Sequence, residues 1–131
     1  MAGAGAAGGL GGAFRAYLGA ELKRGVDLVL DQIDFDSKIH GADLVITGEG
    51  CSDYQTLKGK TASGVLERAK RQGIPVALVS GAVRDEQMLR GGGFGVIEAV
   101  CLLSMSRAEA MRPEMAKFNI CQTVKRLLTN E

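Results

Sequence analysis

The chain has 131 residues, 46% hydrophobic and 24% charged, with 16 Lys and Arg against 15 Asp and Glu for a net charge of +1. Such a length and apolar content suit one folded domain with a real core and exclude wholesale disorder. The balanced charge, with no Trp, 2 Tyr and 4 Phe, lacks the basic surplus and the stacking platform of a nucleic-acid binder, so no nucleic-acid partner is expected.

Residues 2–12 read Ala-Gly-Ala-Gly-Ala-Ala-Gly-Gly-Leu-Gly-Gly, with nothing larger than Leu10. They suit either a flexible tail or a tight turn entering a helix. Ala13, Phe14, Tyr17, Leu18 and Leu22 follow at near-helical spacing, which predicts a helix over about 9–19. Val26, Val29, Leu30 and Ile33 predict a second helix, with Asp27 and Asp31 mainly on its polar side, and 34–40 reads as a loop or short turn. Ala42–Thr47 is a short strand whose run Leu44-Val45-Ile46 suggests cover on both faces. A polar loop over 48–60 comes next. Ala62, Val65, Leu66 and Ala69 then form a helical stripe, closed by Lys70, Arg71 and the stop Gly73. Ile74–Ser80 is the second buried strand and 81–85 a loop. A short helix over 86–90 is broken by Gly91, Gly92 and Gly93, and Phe94–Leu103 supplies a third strand. The last helix spans 107–128, divided or restarted at Pro113, with Met115, Phe118, Ile120, Val124, Leu127 and Leu128 on its stripe.

Strands alternating with helices predict an α/β fold of three layers, a mostly parallel sheet with flanking helices and right-handed crossovers. Three strands are few for a doubly wound sheet standing alone, and no strand precedes the glycine-rich segment. The sequence therefore reads as an incomplete portion of a larger protein. Cys51, Cys101 and Cys121 are too widely spaced for a disulfide framework or a paired metal site, which predicts a reducing, cytoplasmic setting. No apolar run reaches the roughly 18 residues of a membrane helix, so no membrane partner is expected.

Two motifs fail on context. Gly3, Gly5 and Gly8 match a dinucleotide fingerprint, with Glu21 at a plausible ribose distance, but the required preceding strand is missing. Gly59-Lys60-Thr61 resembles the end of a phosphate-binding loop, but Tyr54 stands where its first glycine belongs.

The chemistry-bearing stretch is Thr47-Gly-Glu-Gly-Cys-Ser-Asp-Tyr-Gln-Thr-Leu-Lys-Gly-Lys60, placed after a buried strand and before a helix, where open α/β sheets bind ligands. One reading is an exposed polar loop with capping residues. The other is a cation and phosphate site, with Glu49 and Asp53 holding Mg²⁺ and Lys60 neutralising phosphoryl oxygens. The glycines flanking Glu49 suggest a tight backbone turn. Asp85, after the next strand, either joins this cleft or caps the short helix. Cys51 is not expected to act as a nucleophile, because His40, the sole histidine, precedes the strand.

Gly3–Gly12 with Leu18-Gly-Ala-Glu-Leu22, Asp43-Leu-Val-Ile-Thr-Gly-Glu-Gly50 with Asp53, Gln55-Thr56 and Gly59-Lys60, Gly73-Ile-Pro-Val76, Ser80-Gly81 and Asn119-Ile120 together resemble the glycerate kinase family. These ordered motifs cover nearly the whole chain, 1–131, but correspond only to the C-terminal portion of that family's longer, two-domain members. The resemblance implies phosphoryl transfer from ATP to a hydroxyl of D-glycerate, with Mg²⁺ required. It implies Asp53 as general base or metal ligand, Glu49 as metal or water ligand, Lys60 on phosphate, and Gln55 and Thr56 on substrate. Gly5, Gly8 and Gly9 would belong to a backbone cradle for the nucleotide phosphates or for the substrate. The chain departs from the family pattern at Gly50-Cys51-Ser52-Asp53, where an arginine is usual at position 51; a thiol cannot replace its planar fork. The expectation is that the chain alone is inactive and needs the missing N-terminal portion or a complementing chain. The alternative is a non-catalytic α/β fragment.

Overall fold

The computed structural model describes residues 3–100 and 106–129. A parallel sheet in the order β1-β2-β3 organises them, with β1 at Val45–Ser52, β2 at Val76–Val83 and β3 at Val96–Ala99. Val45 lies beside Val76, Glu49 beside Ser80, and Ala77 beside Val96. Parallel neighbours require long crossovers, and helices supply them. The helices in chain order are α1 (Leu10–Leu18), α2 (Gly25–Gln32), α3 (Phe35–Lys38), α4 (Thr61–Arg71), α5 (Glu86–Gly92), α6 (Arg107–Ala110) and α7 (Pro113–Thr129). Helix α4 joins β1 to β2, and α5 joins β2 to β3.

The core lies under α4. Its residues Ala62, Val65, Leu66 and Ala69 recur at i, i+3, i+4 and i+7, the spacing of one helical face. They pack with Leu30, Val45, Val76, Leu78, Leu89, Phe94 and Ile97. Helix α4 stops in a Schellman arrangement. The Ile74 N–H donates to the Ala69 carbonyl and the Gly73 N–H to the Lys70 carbonyl, both at 3.0 Å, with Gly73 at φ +70 where a side chain would be strained.

Charge pins α2 and α3 to α4. The buried Arg68 guanidinium donates to Asp31 Oδ1 at 2.7 Å and to Asp36 Oδ2 at 2.6 Å. Its pairing is what makes the burial of a cation tolerable. Nearby, Arg24 donates to Asp27 at 2.7 Å and to Glu67 at 2.6 Å. These bonds hold the Asp27 and Glu67 carboxyls below their ordinary range and raise the Arg24 guanidinium.

The other side of the sheet is more open. Ile46, Val79 and Val100 line a groove of about 1150 Å³, with Met111, Ile120 and Val124 on its far side. Ile46 is 39% exposed, so the expectation of a strand covered on both faces fails for β1.

Other boundaries moved. The predicted strand over 42–47 begins at Val45 and runs on to Ser52, and the second runs to Val83, because each finds a partner through its glycine-containing half. Residues 34–40 contain the one-turn α3. Gly91 and Gly92 are absorbed into α5, whose stop is Gly93. The third strand shortens to Val96–Ala99, and 101–103 of the predicted strand lie outside the described residues. Pro113 does divide the final helical region, opening α7 where its missing N–H costs nothing. The predicted stripe of α7 is corrected: Asn119 and Thr123 are buried, while Phe118, Ile120 and Leu128 are exposed. Apolar residues lie on several sides of α7, so docking rather than periodicity chooses its inward face.

Candidate active site

The C-terminal ends of β1 and β2 deliver the site. Gly48 is there because the strands approach closely: a Cβ on it would overlap the Val79 carbonyl, and one on Gly81 would lie 2.6 Å from the Gly50 carbonyl oxygen. Backbone around Glu49 is thus extended strand, not the tight turn its flanking glycines suggested. That extension puts Glu49 and Ser52 on paired strand rather than in a loop.

A chain of hydroxyls converges on Glu49. Ser52 Oγ donates to Glu49 Oε1 at 2.8 Å, and Thr56 Oγ1 donates to the same oxygen. Ser52 Oγ also lies 2.6 Å from Ser80 Oγ. A serine hydroxyl has one hydrogen, and that of Ser52 goes to the carboxylate, so Ser80 is the donor in this second contact. Thr56 Oγ1 in turn accepts the Asp53 N–H at 3.1 Å. Ser52, Thr56 and Ser80 are all buried. Glu49 Oε1 is therefore held by two protein donors, while Oε2 makes no hydrogen bond among the described residues.

Asp53 organises the following 3-10 turn, Tyr54–Leu57. Its Oδ1 accepts the Gln55 N–H at 2.8 Å, and Thr56 reciprocates, closing a capping box. Asp85 reaches the same turn from the end of β2, its Oδ2 accepting the Tyr54 N–H at 3.3 Å. Its side chain makes no cap bond to α5, so of the two roles foreseen for Asp85 the structure has it joined to the β1 turn. Lys58 Nζ sits 4.7 Å from the centre of the Tyr54 ring, a cation–π contact at the turn's surface.

The remaining candidates are less tightly held. Gln55 is exposed. Thr56 is wholly buried, behind Glu49 rather than at a surface that a ligand could reach. Lys60 is the exposed N-cap of α4 and makes no side-chain cap bond; its carbonyl accepts the Ser63 hydroxyl at 2.8 Å. Gly5, Gly8 and Gly9 lie in or beside a 3-10 turn at Ala6–Gly9, and a Cβ on any of them would meet nothing within 4 Å. No hydrogen bond among the described residues joins that turn to β1. Cys51 is an exposed free thiol at the rim of the groove. No group of three or more His, Cys, Asp or Glu among the described residues is placed to hold a metal ion.

Sequence reasoning assigns no role to three residues of this region: Ser52, Ser80 and Arg84. Ser52 and Ser80 meet only through the β1–β2 pairing. Arg84 donates its N–H to the Ser52 carbonyl at 2.8 Å, and it lines the groove together with Cys51 and Glu49. Strand register, not sequence proximity, brings this arginine to the side of position 51.

The glycerate kinase family model matches residues 1–130. The chain belongs to this family. Glycerate kinase of Bacillus cereus is 42% identical over 126 residues, which are 95% of this chain and 32% of that protein. Glycerate 2-kinase of Escherichia coli K12 is 38% identical over the same length and with the same coverage. Glycerate kinase of Bacillus subtilis is 48% identical over 99 residues, 75% of this chain and 26% of that enzyme. A crystal structure described as glycerate kinase 2 from Salmonella typhimurium LT2 superposes with a TM-score of 0.55 at 36% identity, covering 98% of this chain and 34% of that one. The chain thus matches between about a quarter and a third of the length of these proteins.

Proposed function

We propose that this chain is the C-terminal portion, 1–131, of a D-glycerate kinase, a three-layer part of a two-domain cytoplasmic enzyme that transfers a phosphoryl group from ATP to a glycerate hydroxyl. The observation that carries this reading is the family match over 1–130, within which Glu49 lies on β1 and Asp53 directly after that strand. No helix of the described residues is long and apolar enough to cross a membrane.

In the reaction the glycerate hydroxyl oxygen bonds to the γ-phosphorus of ATP. The bond between that phosphorus and the β–γ bridging oxygen breaks, ADP departs, and the hydroxyl proton goes to a base. Asp53 is the candidate base, its Oδ1 accepting the Gln55 N–H. Glu49 offers Oε2 as a rigid acceptor, because Ser52 and Thr56 fix its partner oxygen. Two carboxylates fit Mg²⁺, which is commonly held by one or two carboxylates with water and substrate phosphates completing its shell. Bound there, Mg²⁺ would neutralise phosphate charge. Lys60 supplies a further cation, Gln55 a polar contact to glycerate, and Thr56 acts through Glu49. Gly5, Gly8 and Gly9 offer an open backbone cradle for the nucleotide phosphates, in the manner of glycine-rich turns that expose N–H groups.

The test is a coupled assay of ADP release with D-glycerate. The chain alone is expected to show no turnover. Joined to the remaining two-thirds of the Bacillus cereus relative, it is expected to turn over at roughly 1 s⁻¹ or more, the low end of typical enzymes. A joined, folded protein without D-glycerate-dependent ADP release refutes the catalytic reading in favour of a non-catalytic α/β fragment.

A further inference from the structure

Helix α1 has two unlike sides. Its Gly11 side is sealed by the preceding turn: a Cβ on Gly11 would lie 2.6 Å from the Gly3 carbonyl oxygen, and Gly12 N–H donates to the Ala4 carbonyl at 3.1 Å. The other side carries Leu10, Phe14 and Leu18 at i, i+4 and i+8, with Tyr17 beside them. These four are 52%, 49%, 72% and 87% exposed. A helix of nine residues is marginal on its own and depends on packing of its apolar face. Among the described residues that face packs on nothing to match its size, although contiguous apolar patches mark contact surfaces.

We infer that the Leu10–Phe14–Tyr17–Leu18 stripe of α1 is the docking face for the part of the glycerate kinase fold that this chain does not contain. The length of the relatives argues for that occupant: proteins up to 42% identical across 95% of this chain carry about twice as much again of additional polypeptide. The same third of the fold in a full-length relative is joined to that additional chain, so an apolar face left open here has a resident partner there. The inference rests on the reading of the chain as a portion of a larger kinase and adds the surface through which the portions meet.

Hydrogen–deuterium exchange tests it. In the chain alone, the α1 amides are expected to exchange much faster than those of α4. In the chain joined to the remaining two-thirds of the Bacillus cereus relative, with α4 as the reporter of folding, α1 exchange is expected to slow by at least about tenfold. Phe14→Asp with Leu18→Asp should remove that slowing while leaving the circular dichroism of the separate chain unchanged. Slow α1 exchange in the monomeric chain alone would overturn the inference. So would unchanged α1 exchange in the joined protein, or protection that instead rises with concentration of the chain alone as a dimer mass appears. ADP release separates the two readings. Protected α1 without activity removes the catalytic role and leaves the docking face; activity with unprotected α1 does the reverse.

Discussion

Thr56→Val probes the scaffold around Glu49 directly. Valine keeps the volume of the buried threonine but removes its hydroxyl, and with it two interactions: the donation to Glu49 Oε1 and the acceptance of the Asp53 N–H. A hydrogen bond to a charged group contributes about 1.5–3 kcal/mol, and loss of an N-terminal cap costs about 0.5–2 kcal/mol. The two share one oxygen and do not add fully, so the expected loss is about 2–4 kcal/mol. With a urea m-value of about 1–3 kcal/mol/M for a small domain, the midpoint should fall by roughly 1–2 M while m stays constant. Ser52→Ala removes the other donor to the same oxygen. A double-mutant cycle with Thr56→Val should therefore give a coupling of about 0.5–3 kcal/mol. A midpoint for Thr56→Val within about 0.2 M of the parent, which would mean under roughly 0.5 kcal/mol, or a cycle that closes additively, would refute the idea that these hydroxyls jointly hold Glu49.

Gly48→Ala should cost about 1–3 kcal/mol, the usual range for forced overpacking, because the added methyl meets the Val79 carbonyl; Gly50→Ala, whose Cβ meets nothing within 4 Å, should cost less, and thermal melts that fail to separate the two would contradict the close-approach argument. For pH, the Asp27 and Glu67 carboxyls are depressed by Arg24, so the unfolded chain binds protons that the folded one does not. Their stabilisation is fully present above the ordinary carboxylate range of about 4 and is lost as pH falls through their lower folded values. Arg24→Gln should flatten the fall of the urea midpoint below about pH 5, and added salt should do so in part, since these groups are only partly buried. An unchanged pH slope in Arg24→Gln would assign the acid sensitivity elsewhere.

Much of the architecture is legible in the one-dimensional chain because it is local. The stripe Ala62, Val65, Leu66 and Ala69 and the stop at Gly73 locate α4, and alternation of apolar runs with helical stripes announces a parallel sheet. The candidate carboxylates were visible as well, since strand ends in such sheets carry polar ligand-binding residues. What stayed hidden depends on pairing across distance. Periodicity gave no reason to bury Arg68, which is satisfied by Asp31 and Asp36 only after α2 and α3 dock on α4.

Local pattern therefore located most of the helices and strands, and singled out the polar stretch after Thr47 that we propose as a phosphate-transfer site. Tertiary structure alone decided that β1 runs on past Glu49, that Gly48 answers a facing carbonyl rather than a turn, and that Ser80 and Ser52 stand behind one carboxylate oxygen. The physical reason is that propensity and periodicity act within a few residues. Strand register and hydroxyl pairing arise instead from groups brought together after the chain has crossed over and returned.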